Sequence, residues 1–171
     1  MVRPQHRFAP ALIALIVLAA DLDARAQPVT DPATLVTPEA EVEACKKNGR
    51  AIHIVVENVR NAEGIVTAEL YVDRKAVFLK KAGRLMRMRV LAAQGRTELC
   101  LVAPEAGDYT VAVFHDEDAD KKFNRDFFGI PTEGYGFSNN PGFRFGLPEM
   151  EEIRFAVEDG PITLPITLTY L

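Results

Sequence analysis

The chain has 171 residues, and its 20 lysines and arginines stand against 24 aspartates and glutamates, for a formal net charge of −4 at pH 7. This mildly acidic balance argues against a general nucleic-acid binder, which would carry a large positive excess. The length is that of a short leader and one domain.

Residues 1–26 have the three parts of a secretory signal peptide. A positively charged start that includes Arg3 is followed by an apolar run over residues 9–20, and Ala24-Arg25-Ala26 then places alanines where a signal peptidase reads small residues. The apolar run is shorter than the roughly 20 residues that a membrane-spanning helix needs. We therefore expect cleavage before Gln27, a periplasmic or secreted product, and no transmembrane segment after cleavage.

Residues 27–49 are predicted to be a disordered linker. Prolines stand there among threonines and acidic residues, with little apolar periodicity. The domain proper is then expected over residues 50–171. Cys45 and Cys100 follow the leader, and an even cysteine count in an oxidising compartment favours a disulfide between them. The alternative is two buried free thiols.

Apolar and polar residues alternate along most of the domain, which is the period of a β-strand. The predicted strands are 52–56, 66–72, 86–90, 99–103, 109–113, 153–157 and 162–168. Short strands at this spacing favour an all-β, two-sheet sandwich of the immunoglobulin or transthyretin kind. The alternative is an α+β fold with a short helix near residues 77–88.

A loop of unusual length is predicted over residues 116–152. Its many phenylalanines need packing partners and its glycines allow sharp reversals, so we expect it to be ordered and functional. The residues expected to contact a partner or ligand are His115, Tyr135, Phe137, Ser138 and Asn139.

The start of this loop has the ligand types of a calcium site. Carboxylates at alternate positions converge when the backbone coils, and Ca²⁺ takes six to eight oxygen ligands. The predicted ligands are Asp116, Asp118, Asp120, the Lys122 carbonyl, Asn124 and Asp126.

Two positions depart from a standard calcium loop. Lys121 stands where glycine usually allows a left-handed turn, and Phe127 stands where an EF-hand has its bidentate glutamate. The site is therefore not an EF-hand. The alternative is a solvated acidic turn held by Lys121, Lys122 and Arg125.

The strings GDYTVAVFHD at 107–116 and FGIPTEGYGFSN at 128–139 resemble the bacterial family called domain of unknown function 2141. Family members usually read H-D-E-N-x-N-G-K-x-D here, so Asp118 and Asp120 replace asparagines and Lys121 replaces glycine. The resemblance implies an exported bacterial protein with a β-sandwich-like fold. It implies no established activity.

An enzyme is the second hypothesis. Ser138, His115 and Asp116 can be drawn as a hydrolase triad, but Ser138 lacks the G-x-S-x-G context of a nucleophile elbow. The simpler interpretation is that its hydroxyl braces the loop.

A basic tract is the other asymmetric feature. Residues 74–96 carry eight basic side chains and no acidic one. The tract either contacts an anionic surface such as phospholipid headgroups or forms a solvated sheet face paired with the acidic loop.

The leading hypothesis is an exported, non-enzymatic module with a Ca²⁺-organised loop that binds an envelope or extracellular partner through its glycine- and aromatic-rich part. A purely structural envelope module is the third hypothesis, and a surface without a cleft beside the loop would favour it.

Overall fold

The computed structural model describes residues 38–142, 144 and 146–171. The predicted signal peptide, and the predicted linker up to residue 37, lie outside these residues. Within them the chain forms two short helices and eight strands. In chain order they are α1 Pro38–Lys46, β1 Ala51–Val59, β2 Ile65–Val72, β3 Arg84–Leu91, β4 Gly95–Val102, β5 Gly107–Asp116, β6 Gly134–Phe137, α2 Met150–Ile153, β7 Phe155–Val157 and β8 Ile162–Thr167.

Two sheets pack face to face, so the predicted β-sandwich is confirmed. One sheet has the order β4-β1-β8, and the other has the order β3-β2-β5-β6, with β7 also paired to β5. The β1–β8 pair is parallel and the other pairs are antiparallel. The core consists of the side chains that alternate inward on both sheets, including Ile52, Ile54, Val56, Val66, Ala68, Leu70, Leu99, Leu101, Val111, Val113, Ile166 and Leu168.

The alternative helix near residues 77–88 is not formed. Residues 75–83 form turns and a bend, and β3 begins at Arg84. Gly83 closes these turns, since a Cβ there would lie 2.4 Å from the Val77 carbonyl oxygen. Residues 84–91 pair with β2 as an antiparallel strand. Their alternation of apolar and polar residues has the two-residue period of a strand and not the period of a helix.

Strand β6 lies within the stretch predicted as a loop. Its two glycines share one face, where Gly134 meets the Tyr170 ring and Gly136 meets Ile166 and Thr167 too closely for any side chain. Apolar side chains therefore stand on one face only, at Tyr135 and Phe137. A strand with glycine at alternate positions has little of the hydrophobic pattern by which strands are recognised.

The segment 150–157 also differs from the prediction of one strand over 153–157. Met150–Ile153 is a helical turn with Met150 and Ile153 buried, and only Phe155–Val157 pairs with β5. The Glu152 carboxylate accepts the Glu149 N–H at 2.9 Å, which stabilises this turn at its N-terminus.

Helix α1 occupies the second half of the stretch 27–49, which the sequence predicts to be a linker. Val42 is buried against Ala51 and Cys100, with Cys45 beside them. Cys45 and Cys100 form the predicted disulfide, with Cα atoms 6.0 Å apart. The bridge fastens α1 to β4 and indicates an oxidising compartment.

Neither helix of the described residues has the length and apolarity to cross a membrane.

Candidate functional site

The acidic loop, which we define as residues 116–126, begins at the end of β5, where Asp116 lies opposite Ile65 of β2 and is fully buried. The loop coils around this side chain. Its Oδ1 accepts the Asp120 N–H at 3.1 Å and its Oδ2 accepts the Lys121 N–H at 2.7 Å. Asp116 thus fixes the backbone path of the residues that follow.

This path brings Asp116, Asp118 and Asp120 together. One carboxylate oxygen from each lies within 4.8 Å of the other two. Asp118 Oδ1 also accepts the Asp120 N–H at 3.1 Å, and Asp120 Oδ1 accepts the Lys122 N–H at 2.7 Å. The coil that the sequence analysis requires for converging carboxylates is present, and this acidic triad has the geometry to hold a cation.

The turn geometry is carried by residues with side chains. Ala119 has φ +57° and Lys121 has φ +67°, both in the left-handed region that favours glycine. The left-handed conformation predicted at Lys121 is present, and Ala119 adds a second one that the sequence pattern did not indicate.

The other predicted ligands divide into two groups. Asn124 lies beside the triad, where its Nδ2 donates to Asp118 Oδ2 at 3.2 Å. Lys122, whose backbone carbonyl is the predicted ligand, also lies beside the triad, and its ammonium group donates to Asp120 Oδ2 at 3.4 Å. Asp126 is not a member of the triad, because its Oδ1 accepts the N–H groups of Phe128 and Ile130, both at 2.9 Å, and so closes a separate turn.

Glu133 is a member of the site that the sequence analysis missed. Its side chain is buried, and Oε2 accepts the Asn124 N–H at 3.0 Å. Burial, and after it the negative charges of the acidic triad, together raise the pKa of Glu133 to about 7 despite the Asn124 N–H. The sequence contains one indication of this role, because Glu133 is the only charged residue between Phe127 and Phe137.

The carboxylates at this site are in different electrostatic states. Burial, followed by the neighbouring charge of Asp118, raises the pKa of Asp116 despite the Lys121 N–H. The Lys122 N–H instead lowers the pKa of Asp120, which is open to solvent. A cation would lower the pKa of every carboxylate that it contacts.

His115 and Ser138 are buried and are used by the fold. The Nε2–H of His115 donates to the Glu63 carbonyl at 2.8 Å, so Nδ1 accepts from the Tyr170 hydroxyl, also at 2.8 Å. Ser138 Oγ accepts the Val111 N–H at 3.0 Å and donates to the Ile153 carbonyl. Neither side chain is open to a partner.

The hydrolase triad drawn from the sequence is not formed. His115 pairs with Gly134 across β5 and β6, whereas Ser138 bonds to Val111. Val111 lies four residues from His115 along β5, which is about 13 Å. The hydroxyl and the imidazole are therefore out of hydrogen-bond reach.

Beside the acidic loop, the outward face of the five-stranded sheet forms a groove of about 990 Å³, which we call the outer groove. Ala112 and Phe114 of β5 lie on its floor, and Tyr135 and Phe137 of β6 stand opposite them in the register. At one end of the same sheet face, Phe78 and α2 pack on Tyr71. Two of the predicted contact residues, Tyr135 and Phe137, thus line a concave surface. Asn139 is exposed, and its Nδ2 donates to the Arg154 carbonyl at 2.6 Å.

The charges that line the outer groove are unbalanced. Its described lining includes one acidic residue, Glu69, and six basic residues, Arg84, Arg87, Lys121, Lys122, Arg125 and Arg144. The basic tract of β3 is thus paired with Glu69 of β2, the neighbouring strand, and not with the acidic loop.

A turn at residues 125–131 projects from the rim of the outer groove. Phe127 is 96% exposed and Phe128 is 84% exposed, so the expectation that the phenylalanines of the loop are packed is wrong for these two rings. The Asp126 carboxylate holds the turn, and an isolated bridge joins Arg125 to Pro131. Phe143 and Phe145, which carried the same expectation, lie outside the described residues.

The fold and the site define a small, disulfide-bonded β-sandwich domain with an acidic loop beside an apolar groove. The chain belongs to the family described as uncharacterized protein conserved in bacteria (DUF2141), which matches residues 54–164. The matched region contains the acidic triad, Glu133 and the floor of the outer groove. No curated protein and no solved structure matches the chain.

Proposed function

We propose that this chain is an exported, non-enzymatic binding module whose acidic loop is organised by Ca²⁺ and whose outer groove receives a ligand. The observation that carries the proposal is the convergence of the acidic triad within 4.8 Å on a loop coiled around the buried Asp116. The ligand types are hard oxygens, and the loop is irregular, which suits Ca²⁺ better than the tight octahedron of Mg²⁺.

Burial of additional negative charge next to the triad supports the cation. Glu133 is buried and its pKa is raised partly by the triad itself. Several carboxylates in one partly dry volume repel each other unless protons or a cation neutralise them. A Ca²⁺ ion held by the triad, with Asn124 and Glu133 nearby, would remove that repulsion.

Export is supported by two independent features. The N-terminal residues have the pattern of a signal peptide, and the Cys45–Cys100 disulfide is of the kind that persists outside the cytoplasm. Both features support a periplasmic or secreted location. Extracellular calcium modules work with dissociation constants of about 10⁻⁴ to 10⁻³ M, so a site with few protein ligands is useful there.

The outer groove favours binding over the two competing hypotheses. A purely structural envelope module would need no concave surface beside the loop, and a groove of about 990 Å³ is present. Small-molecule sites commonly occupy about 300–1,000 Å³. The hydrolase hypothesis loses its named residues, because His115 and Ser138 are each bonded elsewhere.

Calorimetric titration of the chelator-treated mature protein tests the cation site. We expect saturable Ca²⁺ binding and a rise in melting temperature, with a much weaker response to Mg²⁺. The double variant Asp118→Asn/Asp120→Asn should lose at least tenfold in Ca²⁺ affinity, because two charges leave the site. Glu158→Gln is the matched control, since it removes a carboxylate just after β7, which pairs with the opposite end of β5. Wild-type protein with neither heat nor thermal shift would overturn the proposal.

A further inference from the structure

We propose that the outer groove binds a single-chain amphiphile with an anionic headgroup, its acyl chain lying on the aromatic floor and its headgroup at Arg84 and Arg87. This inference deepens the proposed function by naming the ligand class of the outer groove. It rests on the groove and not on the cation.

The headgroup site is built around Glu69. This buried carboxylate receives the Tyr71 hydroxyl and the guanidinium groups of Arg84, at 3.0 Å, and Arg87. One carboxylate thus holds two guanidiniums at the floor of the groove and neutralises only one of them. The remaining positive charge is oriented and partly shielded from water, which is the arrangement that recognises carboxylates and phosphates.

Arg89 adds to the positive potential on the same face of β3. It is only 5% exposed, its Nε has no hydrogen-bond partner among the described residues, and it lies opposite Thr67, whose buried hydroxyl is also unpartnered. Burial, with the charge of Arg87 next, lowers the pKa of Arg89. The positive charges of Arg87 and Arg89 repel each other, and an anion bound nearby would reduce that repulsion.

The rest of the lining suits an acyl chain. Aromatic side chains from β5, β6 and the loop form a continuous apolar wall, with Phe123 packed between Phe114 and Tyr135 at centroid distances of 5.6 and 6.0 Å. At the rim, Phe128, Leu79 and Leu147 are exposed apolar side chains. Each buried methylene should tighten binding by roughly fourfold.

Lys121 and Arg125 form no ion pair with a carboxylate among the described residues. They line the groove from the loop, whereas Arg84 and Arg87 line it from β3. Both the loop and β3 therefore contribute positive charge to the lining. A cationic or zwitterionic amphiphile of the same chain length would be repelled or would gain nothing there.

The test uses the mature protein with its disulfide intact and C12 probes below their micelle concentrations. Calorimetry compares laurate and dodecyl phosphate with neutral dodecanol and with dodecyltrimethylammonium. We expect both anions to bind at least tenfold more tightly than the cation, and decanoate, with two methylenes fewer, to bind roughly 15-fold more weakly than laurate. Laurate against dodecyl phosphate distinguishes a fatty acid from a phosphorylated lipid as the source of the anion. Equal binding of all four headgroups, or no binding of any, would overturn the proposal.

Arg87→Gln locates the headgroup. It should weaken laurate binding about tenfold and leave dodecanol binding unchanged, because Arg84 still pairs with Glu69. Arg96→Gln is the matched control, an exposed arginine of the same tract that pairs with Glu98 at 2.9 Å outside the groove. Equal loss in both variants would contradict the assignment, and the headgroup series on wild-type protein decides the matter if Arg87→Gln does not fold. A Ca²⁺ titration without amphiphile and a laurate titration in chelator separate the two proposals. If the protein binds Ca²⁺ but does not bind laurate, only the amphiphile proposal is overturned.

Discussion

Glu133 shows how a buried carboxylate couples this loop to pH. Its pKa is about 7 in the folded protein, against an ordinary value of 4.5, with burial as the largest cause. Between these two values the folded state keeps a proton that the unfolded chain has released. The free energy of unfolding therefore falls as pH rises through this window, and the contribution of Glu133 is constant above pH 7.

We predict that Glu133→Gln removes much of this pH dependence in chelator. The wild-type slope from Glu133 is at most about 1.4 kcal/mol per pH unit, and the variant should gain on the order of 2 kcal/mol relative to wild type between pH 5 and pH 7.5. Urea denaturation at several pH values measures it. Glu158→Gln should keep the wild-type slope. A variant as pH-dependent as wild type would show that Glu133 ionises normally in the fold.

At the scale of elements, Ser138 follows β6 directly and hydrogen-bonds to both β5 and α2. Strand β5 pairs along one edge with β7 at Gly107–Tyr109 and with β6 at Ala112–His115. Val111 lies between these pairings, and Ser138 satisfies both its N–H and its carbonyl, at 3.0 Å each. The same hydroxyl donates to the Ile153 carbonyl at the end of α2.

We predict that Ser138→Ala destabilises the protein by about 1–3 kcal/mol, because the Val111 N–H and the Ile153 carbonyl lose a buried partner. Guanidinium denaturation provides the measurement. Asn139→Ala, one residue away and exposed, should cost less. Hydrogen exchange at Val111 should accelerate in the serine variant only. A neutral Ser138→Ala would show that water replaces the hydroxyl.

The elements also show why some features were predictable and others were not. Strands β1, β2 and β5 have large apolar residues on the inward face, so their alternation is visible and their place in the sandwich follows. In β6 the inward positions are Gly134 and Gly136, which leave no apolar signal. Helix α1 is weakly amphipathic and is held by Val42 and the disulfide, which are tertiary contacts.

The same distinction applies to the site. The acidic triad was predictable because its members are close in sequence and one loop places them. Glu133 lies beyond the turn at residues 125–131, outside the alternating run of carboxylates, and Asp126 has the correct residue type but closes its own turn. The outer groove depends on the pairing of β3, β2, β5 and β6, so only the topology shows that Arg84 and Phe137 line one surface.

At the scale of the whole molecule, the disulfide connects the helix that precedes the sandwich to β4. It closes a loop with a sequence separation of 55 residues, for which the chain-entropy model gives about 4 kcal/mol of stabilisation. We predict that Cys45→Ser/Cys100→Ser loses a stabilisation of this order and lowers the melting temperature by roughly 10 °C. Calorimetry measures the loss, and wild-type protein treated with reductant should match the variant. A change under 1 kcal/mol would show that α1 adds little to stability.

The parallel pairing of β1 with β8 bears on how the protein is made. β1 lies between β4 and β8, and Ile52 stands opposite Ile162. β1 therefore cannot complete its pairing until β8 has been synthesised. Contacts of such long sequence separation form slowly and close only after the intervening chain is available. During synthesis the three-stranded sheet therefore stays incomplete, with one edge of β1 unpaired, until β8 is available.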